Sequence, residues 1–161
     1  MIDMALTPNV SQYWEILYEE GRDDWDLGEV TPALLDFFKH PSCPKTGDVL
    51  VPAAGRGWDA EAWAKRGHNV IAVDFCASAF DALERLSSSY GNLTALNTDM
   101  FLLNAYNTKQ FDIIYDYFGF NSVHPGRRDE GAWLECSGRS YTSGICALTL
   151  DQYCCWSSFF Y

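Results

Sequence analysis

Positive charge is scarce in this 161-residue chain: 11 Lys and Arg stand against 22 Asp and Glu, a formal net charge of −11. That balance excludes a nucleic-acid backbone or an anionic membrane surface as the main partner. Histidine is scarcer still, at three residues, and the six cysteines (43, 76, 136, 146, 154 and 155) form no C-x-x-C pair. A zinc site is therefore not expected, and the cysteines read as free, reduced thiols. No run approaches the roughly 20 apolar residues of a membrane span. The opening "MIDMALTPNVSQYW" has neither a basic n-region nor an apolar h-region, so the expected location is cytoplasmic. Internal repeats and low-complexity segments are also missing.

What is present is apolar: 48% of residues, with 16% aromatic. One globular domain of this length can bury a substantial core. In "SQYWEILYEEG", Trp14, Leu17 and Tyr18 recur at i, i+3 and i+4 before Gly21, which predicts a short amphipathic helix. A second helix is predicted in "TPALLDFFKH", with Thr31 as N-cap and Pro32 at the first helical position. From Gly47 the rhythm changes. "DVLVPAA", "NVIAVDF", "NLTALNTDM" and "FDIIYDYF" read as buried strands, and "WDAEAWAKRG" and "SAFDALERLSSSYG" as helices between them. Apolar strands alternating with amphipathic helices mean βαβ units and a parallel sheet covered on both faces, an α/β Rossmann-like domain.

Such sheets bind ligands beyond the carboxyl ends of their strands. Gly55 and Gly57 lie there after the first strand, where glycine lets backbone approach a ligand and adopt positive φ. Asp74 closes the second strand, the place for an acid that accepts from both hydroxyls of a ribose. Residues 55–60 also satisfy G-x-G-x-x-A, so a nicotinamide enzyme stays open. Asp99, ending the third strand before Met100 and Phe101, is by itself most simply a turn or helix-cap residue. In series with Gly55, Gly57 and Asp74 it fits an acid for an adenine amino group beside an apolar cover, the arrangement expected for S-adenosylmethionine. His68 reads as a surface or strand-entry residue, and Cys76 is not read as a nucleophile.

The stretches "YWEILYEEGRDDWDLGEVTPALLDFF", "DVLVPAAGRGWDAEAWAKRGHNVIAVDFCASAFDAL" and "FDIIYDYFGFNSVHPGRRDE" resemble the thiopurine S-methyltransferase family, including its thiol and halide methyltransferase branches. The resemblance rests on Trp14, Trp25-Asp26, Gly28, Thr31-Pro32, Pro52, Gly55, Gly57, Asp59, Gly67-His68 and Asp74. It implies a class I S-adenosylmethionine-dependent methyltransferase fold, with a helical lid over 9–45 and a core over 47–130. It further implies an aromatic lid of Trp14, Tyr18 and Trp25, backbone contacts to the methionine moiety from Ala53, Gly55 and Gly57, Asp74 on ribose, and Asp99 with Met100 on adenine. Arg128 matches the family arginine at the cofactor and substrate side. The implied chemistry is methyl transfer to a small thiol or related soft nucleophile by a monomer. Alignment and exclusion of water supply most of the rate in such a reaction, in keeping with a sequence that offers no Ser-His-Asp or Cys-His constellation.

After Glu130 the family pattern fades. "WLECSGR", "YTSG" and "ICALTL" are weak matches to a helix, a turn and a fifth strand, and "DQYCCWSSFFY" carries no period. The expectation is a methyltransferase domain over 1–130 and an atypical, truncated or altered tail over 131–161. A catalytically impaired remnant is the corresponding alternative.

Overall fold

The computed structural model describes residues 7–105, 111–127, 145–149 and 152–156. Helix α1 (Ser11–Glu19) buries Leu17 and ends ahead of Gly21, whose φ is +64°. Helix α2 (Pro32–Phe37) starts with proline, as predicted, and buries Leu34 and Phe37. Thr31 takes the extended N-cap conformation, yet its hydroxyl does not cap the helix. It donates instead to Asp59 Oδ1, 3.1 Å away. The predicted cap position is right and the predicted use of its side chain is not, because the half-buried carboxylate of Asp59 competes for the hydroxyl.

The core follows the βαβ reading: β1 (Asp48–Pro52), α3 (Trp58–Lys65), β2 (Asn69–Asp74), α4 (Ala77–Ser89), β3 (Leu93–Asn97), a 3-10 helix (Met100–Ala105), β4 (Ile113–Tyr115) and the single turn α5 (Gly119–Ser122). Two more strands, β5 (Ile145–Thr149) and β6 (Gln152–Trp156), complete a sheet of order β3-β2-β1-β4-β5-β6. Strands β1 to β4 run parallel. β5 pairs antiparallel with β4, and β6 antiparallel with β5. A strand was expected in "ICALTL"; its reversed direction, and a strand where the tail shows no period, are features of the structure alone.

Alternation along the strands sorts the core into two faces. Val49, Val51, Val70, Ala72, Ile113 and Tyr115 face Ala60 and Trp63 of α3 and Leu83 of α4. Leu50, Val73 and Ile114 face the other way, toward Leu103 of the 3-10 helix and Phe120 of α5. Successive crossovers that move in one direction along a sheet place their helices on one side, so α3 and α4 share a face. Trp63, fully buried, centres the larger cluster with its ring edge-on to Phe37, Phe38 and Tyr115. Among the described residues no helix is long and apolar enough to cross a membrane.

His68 stands at the entry to β2, one of the two places the sequence allowed it, and it is fully buried rather than on the surface. The cause is the way α3 ends. Gly67, at φ +88°, donates from its N–H to Ala64 O, and His68 N–H donates to Trp63 O. In this Schellman-type closure the residue after the glycine folds back onto the helix face, where an apolar side chain is usual. His68 fills that place, its ring edge-on to Trp63 at 4.7 Å. Neither ring nitrogen has a partner among the described residues. Burial, helped by the charge of Arg66, holds the imidazole below its ordinary pKa. A histidine whose folded pKa is depressed stabilises fully above its unfolded pKa of about 6.5 and loses that stability as pH falls below it. Urea midpoints should therefore drop between pH 8 and pH 5.5, and His68→Leu should drop less. Equal losses in the two proteins would show that His68 is not the titrating group.

Candidate active site

The strand order reverses between β1 and β4, and beyond their carboxyl ends opens a cavity of ≈ 1190 Å³, mouth included. This is where open parallel sheets place ligands. Its floor is the turn after β1. Ala53 and Gly55 both sit in the left-handed region, at φ +46° and +56°. Gly119 comes so close that a Cβ there would stand 2.7 Å from the Ala53 Cβ. The two loops flanking the switch point thus meet backbone to backbone, which only small residues permit.

Asp74, the last residue of β2, ties this turn to the next. Gly55 N–H donates to its Oδ2 and Cys76 N–H to its Oδ1, each at 2.9 Å. Burial pushes the carboxyl up to about 6, against the pull of these backbone donors. Asp99, two residues past β3, accepts from Phe101 N–H at 2.9 Å and from the Arg127 guanidinium at 2.9 Å. That guanidinium lies over the Phe101 ring, 4.7 Å from its centroid. Met100 lines the cavity beside it.

Three rings form the opposite wall. Trp25 stands edge-on to Trp14 at 5.2 Å and to Tyr18 at 5.6 Å, so the loop tryptophan packs on α1. The Tyr18 hydroxyl hangs above the turn, 3.5 Å from where a Cβ on Gly55 would lie. Burial first, then the nearby Asp74, raises its pKa above the ordinary tyrosine value.

Two polar latches hold this wall against the sheet. Glu15 of α1 reaches the start of α4, where its carboxylate accepts from Ala77 N–H, from Ser78 N–H at 3.3 Å and from Ser78 Oγ at 2.5 Å. A carboxylate there meets the unpaired N–H groups and the positive end of the helix dipole. Burial pulls its pKa upward, and the hydrogen bonds from Ser78, Cys76 and Ala77 outweigh that and hold it low. The second latch is Arg56, within the glycine turn, which donates to Asp23 and Asp26 at 2.5 Å each. Asp26 also accepts from Gly28 N–H at 2.7 Å and from Trp58 Nε1 at 2.9 Å. Arg56 keeps 37% of its side chain exposed, while Asp23 and Asp26 are largely covered at 16% and 7%, so each pair contributes on the order of 1 kcal/mol. Arg56→Gln should lower the melting temperature by only a few degrees while speeding amide exchange across residues 22–29. Unchanged exchange there would remove Arg56 from the latch.

At the β4 side, Asp59 in the first turn of α3 accepts from Thr31 N–H at 2.8 Å and from the Thr31 hydroxyl. That hydroxyl also makes a short hydrogen bond with Tyr115 OH. Burial raises the Asp59 pKa despite the Thr31 hydrogen bonds. All three residues line the cavity.

Eight of the ten residues singled out from the sequence line this one cavity: Trp14, Tyr18, Trp25, Ala53, Gly55, Asp74, Asp99 and Met100. Gly57 does not. It begins α3 at φ +89°, and a Cβ there would stand 2.6 Å from Leu83 Cδ2. Arg128 lies outside the described residues. Cys76 is buried, and that burial, with Glu15 and Asp74 close by, pushes its thiol up to about 12. Sequence reasoning missed Glu15, Arg56 and Arg127. No periodicity marks them, since their partners lie 28 to 63 residues away.

The family model for thiopurine S-methyltransferase matches residues 10–135. Relatives include the "Probable thiol methyltransferase 2" of Arabidopsis thaliana, 32% identical over 127 residues, covering 76% of this chain and 54% of the relative. Thiocyanate methyltransferase 1 of Brassica oleracea is 32% identical over 126 residues, covering 76% and 53%. A thiopurine S-methyltransferase of Legionella pneumophila is 29% identical, covering 67% and 56%. The chain thus spans about half the length of the curated relatives it matches. Among solved structures, Burkholderia thailandensis 1,6-didemethyltoxoflavin-N1-methyltransferase, with bound 1,6-didemethyltoxoflavin and S-adenosylhomocysteine, superposes with a TM-score of 0.61. It is 24% identical and covers 83% of this chain and 59% of that one. A structure from work on forming a thioacetal from a disulfide in echinomycin biosynthesis gives 0.65 at 21% identity, with coverages of 77% and 55%. At these identities the likeness establishes the fold, the Rossmann-like class I form.

Proposed function

Since the chain belongs to the thiopurine S-methyltransferase family, we propose that it transfers a methyl group from S-adenosylmethionine to a small thiol or related soft nucleophile. The observation that carries the reading is a pair of acids, Asp74 and Asp99, at the ends of neighbouring strands and on the same cavity as the Gly55 turn. The residues present fit the cofactor. Gly55 leaves an open backbone surface that a side chain would fill, and both acids keep lone pairs beyond those used by their backbone donors and, on Asp99, by Arg127. Asp74 would accept from the ribose hydroxyls and Asp99 from the adenine amino group, with Met100 on the ring face. Ala53 and Gly55 would meet the methionine moiety through backbone, and Trp14, Tyr18 and Trp25 would exclude water above it. Gly57 supports this turn by letting α3 pack on α4. Arg128 keeps the role the resemblance implies, on the cofactor and substrate side.

When bound, S-adenosylmethionine supplies a methyl group on a positively charged sulfur. The protein's part is then to hold the acceptor in line and keep the site dry. Calorimetry with S-adenosylhomocysteine and, in parallel, NADH tests the cofactor; chromatographic detection of a methyl thioether tests the transfer. Binding of the homocysteine product, no binding of NADH and appearance of the thioether are the expected results. NADH binding in place of the product would return the nicotinamide reading. Product binding without any thioether would leave a cofactor-binding domain that does not turn over.

A further inference from the structure

The charge of this cavity narrows the acceptor, on the premise of the methyl transfer proposed above. Five carboxylates line the cavity among the described residues: Asp26, Glu29, Asp59, Asp74 and Asp99. Two guanidiniums oppose them, Arg56 and Arg127, and both are engaged with carboxylates. Arg128, which the proposed function sets on the cofactor and substrate side, raises the cations to three, still fewer than the five acids. A cleft lined by one sign of charge concentrates ligands of the opposite sign and depletes those of its own.

The aromatic lining acts in the same direction. With the cofactor held at the ends of β2 and β3, the acceptor is left the β4 side, where Tyr115, Tyr117 and Phe118 line the cavity. Tyr117 and Phe118 stand edge to face at 5.0 Å. Ring faces carry negative potential, which attracts cations and repels anions. A divalent, polarisable sulfur makes favourable contacts with such rings.

We propose that the acceptor enters as an uncharged thiol, still carrying its proton, and that free anions such as thiocyanate and iodide are turned away. As the acceptor's S–C bond forms, the S–CH₃ bond of S-adenosylmethionine would break with its electron pair staying on the cofactor sulfur, which leaves as S-adenosylhomocysteine. The acceptor's S–H proton would pass to solvent at the cavity mouth. Methylation thus releases one proton per thiol, whereas an anionic acceptor would release none. This sets the chain apart from those relatives whose names include thiocyanate methyltransferase.

The test uses the full chain. A first titration with S-adenosylhomocysteine checks the reading on which this inference rests. The saturated protein is then titrated near neutral pH with benzyl mercaptan, which stays protonated there, and with thiocyanate. Benzyl mercaptan should bind at least about tenfold more tightly. Thiocyanate affinity should rise with ionic strength as the repulsion is screened, and benzyl mercaptan affinity should stay flat. Glu29→Lys, which reverses one charge at the exposed mouth, should strengthen thiocyanate binding several-fold. Thiocyanate binding as tightly as the thiol, losing affinity with salt, or ignoring Glu29→Lys would overturn the proposal, as would failure of the thiol to bind. If the homocysteine product itself does not bind, the proposed function fails separately. The same two titrations of the cofactor-free protein, followed by tryptophan fluorescence, then decide the charge preference alone.

Discussion

Gly57→Ala is expected to destabilise the fold by about 2–5 kcal/mol, because two penalties fall on one atom. At φ +89° a side chain enters the left-handed region, at roughly 1–2 kcal/mol for an L-residue. The new Cβ would also lie 2.6 Å from Leu83 Cδ2 and 2.8 Å from Leu86 Cδ1. Leu83 is fully buried and has no room to withdraw, and overpacking of this kind costs about 1–3 kcal/mol. In a chain of this size that is a fall in melting temperature of about 5–15 °C. Gly55→Ala is the informative comparison: its φ is also positive, but the added Cβ meets only the Tyr18 hydroxyl, at 3.5 Å. It should keep more stability and obstruct the cavity instead. A Gly57→Ala protein that melts with the parent would mean α4 can shift, and that the α3–α4 contact does not define this turn.

Asp74→Asn should weaken S-adenosylhomocysteine binding by about 1–3 kcal/mol, the usual consequence of losing one partner of a hydrogen bond to a charged group. That is a factor of roughly 5 to 150 in the dissociation constant. The amide is not a neutral replacement here. Gly55 and Cys76 donate to opposite oxygens of the carboxylate, so an asparagine NH₂ must face one of those N–H groups, and the turn itself loosens. The pH dependence has an unusual sign. Burial raises this acid from 3.8 to about 6, so its contribution to stability is full below its unfolded pKa and is lost as pH rises through about 6. Hydroxyl donors from a ligand favour the ionised form and offset that loss. The melting-temperature gain from S-adenosylhomocysteine should accordingly be larger at pH 7 than at pH 5, and Asp74→Asn should flatten the difference. An unchanged dissociation constant in a folded variant would remove Asp74 from the ribose site.

The inner parts of this protein are readable residue by residue. Four apolar runs and two amphipathic segments predict β1 to β4, α3 and α4, because a buried strand or a half-buried helix must repeat its apolar residues at the period of its backbone. The positions of Gly55, Asp74 and Asp99 follow with little more, since a parallel sheet delivers all its carboxyl ends to one edge. The aromatic lid is different: Trp14 and Tyr18 would read as ordinary core without the family resemblance. Gly57 was legible as a special glycine, but the sequence does not say whether a ligand or a neighbouring helix needs the space. Only Leu83 and Leu86, arriving from α4, answer that.

Sequence alone determined the βαβ order, the glycine turn and the acids at the strand ends, since each depends on the spacing of near neighbours along the chain. Tertiary structure decided that His68 is buried under the end of α3, that the Thr31 hydroxyl turns to Asp59, and that Glu15 and Arg56 bind the lid to the sheet. It also set the reversed direction of β5 and made Arg127 the partner of Asp99. Each of these is a contact between residues that local periodicity does not couple, or a choice among several hydrogen-bond acceptors. Such choices are settled by which groups the packed sheet and helices bring within about 3 Å of one another, the reach of a hydrogen bond.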